Sequence, residues 1–145
     1  MTQEQINYLA QLHSGQWFGF DGGQTYENLW VADGYEKPTL SDINEGIVEM
    51  GVSRWRSTAS LTRRKFMLGI KFYPHAEGTL EDAINALRES LPEPQKTIIE
   101  TSLDESTTFE RNDPELIQMA TAIGMTPEQI DEFYVWAENE EWRNG

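Results

Sequence analysis

Two histidines, one Arg-Trp-Arg run and 25 carboxylates are the side chains of this 145-residue chain whose types could do chemistry. His13 and His75 lie far apart and lack the paired spacing of a zinc site, so no metal ligands are expected. There is no cysteine, which removes thiolate nucleophiles and disulfides alike. The acids come as adjacent pairs, Glu81-Asp82, Asp104-Glu105 and Glu140-Glu141, and neighbours on a helix point apart instead of converging on one substrate. No alternating ladder of oxygen ligands suggests a calcium loop. Gly19, Gly22, Gly23 and Gly34 have neither the lysine nor the setting of a phosphate loop, and read as hairpin glycines. The expectation is a protein with no catalytic residues, no metal and no cofactor. Carboxylates converging from distant elements, as in a hydrolase, are the one catalytic arrangement that spacing does not address.

Arg54-Trp55-Arg56 is the most distinctive local feature. Such a run can grip an acidic or nucleic-acid partner by charge and stacking. The alternative is an aromatic anchor whose arginines pair with the chain's own carboxylates, and the large acidic excess favours it.

The charge balance sets the wider frame. A formal net charge of -14 disfavours nucleic acid and anionic membranes as partners, because counterion release needs a positive field. An acidic inhibitor or DNA mimic would share that charge, but five Trp, five Tyr and six Phe point to protein contacts instead. With 38% hydrophobic residues the chain should fold, and its length suffices for one sizeable core or two small units. Met1 to Ala10 shows no secretory pattern, and no apolar run is long enough to span a bilayer.

The hub of the fold is expected at Ser60 to Phe72. Leu61, Phe66, Met67, Leu68, Ile70 and Phe72 recur at helical period, with Ser60 or Thr62 as cap. Six basic residues fall between Arg54 and Lys71 against five in the rest of the chain, so opposite charge should help hold this element. Before it, Thr2 and Gln5 can cap a short helix carrying Ile6, Leu9 and Leu12. Gln16 to Ala32 reads as a hairpin around Asp21-Gly22-Gly23, and Thr39 caps a helix from Leu40 to about Met50 with Leu40, Ile43, Ile47 and Met50 as its stripe. Gly51 to Ala59 reads as a connector.

The C-terminal half is punctuated for helices. Thr79 caps one that Pro92 stops, and Pro94 opens a second with Ile98, Ile99 and Leu103 turned inward. Asp113-Pro114 starts a third that Gly124 closes, and Thr126-Pro127 with Gln129 starts the last. The expected fold class is α+β, mostly α: a small N-terminal helix-hairpin-helix unit over 1–51, a compact bundle of short helices over 52–137, and a frayed acidic tail over 138–145 with Trp142 exposed or docking. The expected core is Leu61, Leu68, Phe72, Leu80, Ile84, Leu87, Leu116, Ala120, Ile130 and Phe133.

Two stretches carry a resemblance. Tyr26-Glu27-Asn28-Leu29-Trp30-Val31, then Lys37-Pro38-Thr39 and a helix with Asp42, Ile43 and Ile47, is similar to the opening of small tailed-phage proteins encoded beside tail-fibre genes. Val52-Ser53-Arg54-Trp55, Phe109-Glu110-Arg111-Asn112-Asp113-Pro114, Gly124-Met125-Thr126 and Gln129-Ile130-Asp131 with Phe133 and Ala137 resemble a family of small tail-fibre-associated phage proteins over Val52 to Ala137. Two departures stand out: Arg63-Arg64-Lys65-Phe66-Met67 is more basic and bulkier than the family's alanine-rich first helix, and the Pro74 to Gly78 link is unusual. Phe109 to Pro114 also has a purely structural reading, in which Phe109 packs, Arg111 pairs with a carboxylate and Asp113 caps a helix.

The resemblance implies a setting, not an activity. It leads us to expect a non-catalytic adaptor that binds the phage tail-fibre protein or a baseplate protein, located in the host cytoplasm during assembly and in the virion tail if structural. A fibre-assembly chaperone absent from the mature virion is the alternative. The expected contact residues are Trp17, Phe18, Trp30, Arg54, Trp55 and Arg56, with no nucleic acid and no membrane involved.

Overall fold

The computed structural model describes residues 1–144 and shows an α+β chain that is mostly α, with seven α-helices and three two-stranded antiparallel sheets among the described residues. It divides into two compact units, Met1–Arg54 and Trp55–Gly145.

The first unit opens with α1 (Gln3–Leu12), closed at its start by a reciprocal cap: Gln5 N–H donates to Thr2 Oγ1 at 3.1 Å and Thr2 N–H to Gln5 Oε1 at 2.8 Å. Strands β1 (Phe18–Phe20) and β2 (Leu29–Val31) pair antiparallel with Gly19 opposite Trp30. Side chains alternate across a strand, so Phe18, Phe20, Leu29 and Val31 join the core while Trp30 faces out. Helix α2 (Leu40–Thr58) follows, capped by Thr39, whose Oγ1 accepts from Asp42 N–H at 3.0 Å. Leu9, Trp17, Leu29 and Ile43 form the buried centre. Leu40, expected on the inward stripe, is exposed. The stretch Gly51 to Thr58, expected as a connector, is helical, because nothing in it breaks the α2 period and Gly51 alone is too weak a stop.

The second unit is built on β3 (Ser60–Thr62) and α3 (Arg63–Phe72), where a single helix was expected from Ser60. Thr62 is the cap, accepting from Lys65 N–H at 3.3 Å. Ser60–Thr62 pair antiparallel with β6 (Thr108–Glu110), placing Leu61 opposite Phe109, and this long-range ladder overrides the local helical period. Between these strands run a tight hairpin of β4 (Pro74–His75) and β5 (Gly78–Thr79), then α4 (Leu80–Ser90) and α5 (Gln95–Glu105). After β6 come α6 (Pro114–Ala122), α7 (Pro127–Glu138) and a 3-10 turn at Glu141–Asn144.

Its core gathers on α3 and α7. Phe66 stacks on Phe109 with ring centroids 4.0 Å apart, and Phe133 meets Phe66 edge-on at 5.9 Å. A Cβ added to Gly69 would lie 3.0 Å from Phe133 and 3.1 Å from Ala137, so this glycine sets how near α3 comes to α7. Leu61, Leu80, Ile84, Leu116, Ala120, Ile130 and Phe133 are buried as expected, whereas Leu68 and Leu87 are half-buried and Phe72 is 56% exposed at the end of α3. Ile98 also points outward, since Ile99 and Leu103 already fill the inner face of α5. Residues 138–144, expected to fray, are ordered by α7 and the 3-10 turn, with Trp142 half-buried 5.7 Å from Trp136. Gly145 lies outside the described residues.

Most basic residues of this unit pair with its own acids. Arg64 pairs with Glu140, Lys65 with Glu138 and Lys71 with Glu81, each at 3.0 Å. Arg63 donates to the backbone carbonyls of Leu103 and Ser106 at the end of α5, where cations are favoured.

Candidate functional site

The six residues expected at a partner contact occupy very different environments. Trp17 is 1% exposed, its indole N–H donating to the Leu9 carbonyl at 2.9 Å, so it belongs to the core of the first unit and cannot be a contact residue. Phe18 is half-buried beside it, with ring centroids 5.3 Å apart. Arg54 is exposed and donates to Gln11 Oε1 at 3.3 Å. Trp55 packs half-buried against the core of the second unit. Of the six, Trp30 has the surface expected of an anchor: it is 44% exposed and its indole lies across Gly19, where any Cβ would collide with the ring.

Arg56 is held inside the second unit. Its Nη2 donates to Asp131 at 2.7 Å and its Nε reaches both carboxylate oxygens at 3.1 Å. The same carboxylate accepts from Arg111 Nε at 2.7 Å, and Arg111 Nη2 donates to the Pro127 carbonyl at 3.1 Å. Arg111 is only 3% exposed, so its charge depends on these partners. Burial pushes the Asp131 carboxyl up, but the hydrogen bonds from Arg56 and then Arg111 outweigh it and hold the group below its usual range. The hydrogen bond to Asp131 likewise raises Arg56. Next to this triad the Tyr134 hydroxyl donates to the Phe109 carbonyl at 2.9 Å, and burial raises its pKa. The Phe109–Pro114 run is thus accounted for by packing, pairing and the Asp113 cap on Glu115 N–H at 2.9 Å. The triad's charges are turned on each other, and Asp131 on α7 ties Arg56 near the end of α2 to Arg111 in the turn between β6 and α6.

The histidines do not converge. His13 sits 4.8 Å from the rings of both Trp17 and Tyr35 in the first unit, and His75 bonds the Ile123 carbonyl at 2.7 Å in the second. Among the described residues no group of three or more His, Asp or Glu side chains is placed to hold a metal ion, and no helix is long and apolar enough to cross a membrane.

Exposed apolar surface is where the structure adds residues. Leu12, Trp30, Tyr35, Leu40, Val48 and Val52 are all exposed and all lie in the first unit, which is the smaller one. Val48 is 65% exposed and Val52 37%, one turn apart on α2. The sequence signal for them was present: a valine pair at i and i+4 that falls off the Ile43–Ile47 stripe. None of the eight salt bridges among the described residues involves a carboxylate of this unit, whereas every one of them lies within the second. A groove of about 310 Å³ runs between α1 and α2, with Tyr8, Ile47 and Met50 as its apolar lining and Glu4 and Arg54 as its charged residues. No family model, curated protein or solved structure matches the chain.

Proposed function

We propose that this chain is a non-catalytic phage protein that binds the tail fibre or its attachment region as a structural adaptor, with the first unit making the contact. The observation that carries the reading is the concentration of exposed large apolar side chains, Trp30, Tyr35, Leu40, Val48 and Val52, on a unit whose buried centre is four residues. Exposed aromatic and aliphatic groups rimmed by polar residues mark protein contacts. The resemblance of Val52 to Ala137 to tail-fibre-associated proteins supplies the partner. The internal pairing of Arg56, Arg63, Arg64, Lys65 and Lys71 supports a second unit that acts as a rigid support.

The test is co-expression with a fibre protein followed by size-exclusion chromatography, with the variant Trp30→Ala/Tyr35→Ala alongside. Co-elution of the wild type and separation of the variant supports the reading, and two separate peaks for the wild type at micromolar concentration refute it. Purified infectious particles decide the role. A stoichiometric band of this chain supports an adaptor in the virion tail, and presence in infected lysate with absence from particles leaves the assembly chaperone, which the unpaired acids of the first unit favour through charge-steered, reversible binding.

A further inference from the structure

We infer that the outward face of α2 in the first unit is a docking strip for a basic amphipathic helix supplied by another protein. The inference goes beyond the adaptor reading, since it specifies the chemistry of a bound segment whatever protein carries it.

Three observations on α2 converge. Val48 and Val52 stand one above the other on the side of α2 away from Ile43 and Gly46, which are buried. Glu45 and Glu49 form the adjacent column, both exposed, and among the described residues neither takes part in an ion pair. Gly51, on the valines' other side at the rim of the groove between α1 and α2, is exposed with nothing within 4 Å of where a Cβ would stand, so no side chain blocks that edge of the strip. From Ser41 to Val52 the strip runs roughly 17 Å, three turns of contact for a helix laid along it.

Charge decides the occupant. A strip of valines bordered by unpaired glutamates complements a helix with an apolar seam bordered by Lys or Arg, in the manner of coiled-coil flanking pairs. A second copy of this chain would bring Glu45 and Glu49 against the same residues, and the net charge of -14 repels it at longer range. An acidic or neutral helix would bury the valines while leaving the glutamates without a partner.

The probe is a dye-labelled helical peptide of ~18 residues with leucines at a and d and lysines at e and g, titrated by anisotropy against the full chain. Saturable binding is expected, at least ~10-fold weaker for the twin peptide with glutamates at e and g, and at least ~10-fold weaker for Val48→Ser/Val52→Ser. Both valines are exposed, so that variant keeps the fold, which circular dichroism verifies. Ile98→Ser, an equally surface-borne apolar change on α5, should bind as the wild type does. Glu45→Lys/Glu49→Lys should shift the preference toward the glutamate peptide. Binding of the lysine peptide that is indifferent to the valines shows general attraction to an acidic protein and overturns the inference. So does the absence of saturable binding, or a dimer in light scattering that Val48→Ser/Val52→Ser dissolves. A failed fibre co-elution with a positive peptide result would overturn the proposed partner and leave the strip standing.

Discussion

Asp131→Asn is the sharpest perturbation of the second unit, because one carboxylate there serves two guanidinium groups from distant parts of the chain. Losing the Arg56 arm removes a bidentate contact whose members are 27% and 20% exposed, a site close enough to solvent that about 1 kcal/mol is the reasonable loss. Losing the Arg111 arm is different, since its side chain is 3% exposed and would keep only the Pro127 carbonyl and one neutral amide oxygen. Removing one partner of a buried pair costs about 3–5 kcal/mol, and the two remaining acceptors reduce that to roughly 2 kcal/mol. The total of about 3 kcal/mol corresponds to roughly 12–24 °C in the melting temperature of this unit. Urea denaturation followed by far-ultraviolet circular dichroism measures it. Because the folded-state pKa of Asp131 lies below the unfolded value, its contribution is fully present above the usual carboxylate range and is lost as pH falls through the folded value. The gap between wild type and Asp131→Asn should therefore close in acid. A variant within about 0.5 kcal/mol of wild type at neutral pH, or a gap that persists undiminished to the lowest pH at which the protein folds, refutes this account of the triad.

Tyr134→Phe should cost about 1 kcal/mol by removing the bond to the Phe109 carbonyl, read in the same denaturation assay. The raised Tyr134 pKa makes wild-type stability hold below its unfolded value near 10.0 and decline as pH rises toward the folded value, a decline that Tyr134→Phe should flatten. Gly69→Val, which inserts a branched side chain between α3 and both Phe133 and Ala137, should cost about 2 kcal/mol; an unchanged urea midpoint would show that the helices can move apart freely. Thr126→Ala removes half of the capping box on α7 and should cost about 1 kcal/mol, with Thr126→Ser recovering most of it.

Local chemistry was legible in the sequence wherever a short segment satisfies its own backbone. The caps at Thr2, Thr39, Thr79, Asp113 and Thr126 follow from side chains reaching amides two or three residues on, so those helix starts needed no knowledge of the rest of the fold, whereas the choice of Thr62 over Ser60 for α3 did. The hairpin followed from the Asp21-Gly22-Gly23 turn signal between two aromatic-rich runs, and the hold of acids on the basic segment from the charge count. Tertiary structure decided what depends on partners distant in sequence. Ser60–Thr62 became a strand because residues 108–110 offered it a ladder, and a three-residue strand has no period long enough to announce itself. Phe72 left the core because, as the last residue of α3, it turns away from the face that buries Phe66, Gly69 and Ile70, while Gly69 lets Phe133 take the space beside it. The candidate contact residues divided on the same ground. Aromatic type alone does not distinguish Trp17 from Trp30: they differ in whether an indole lies under two helices and a strand or across a glycine, and that is settled only when the chain closes on itself.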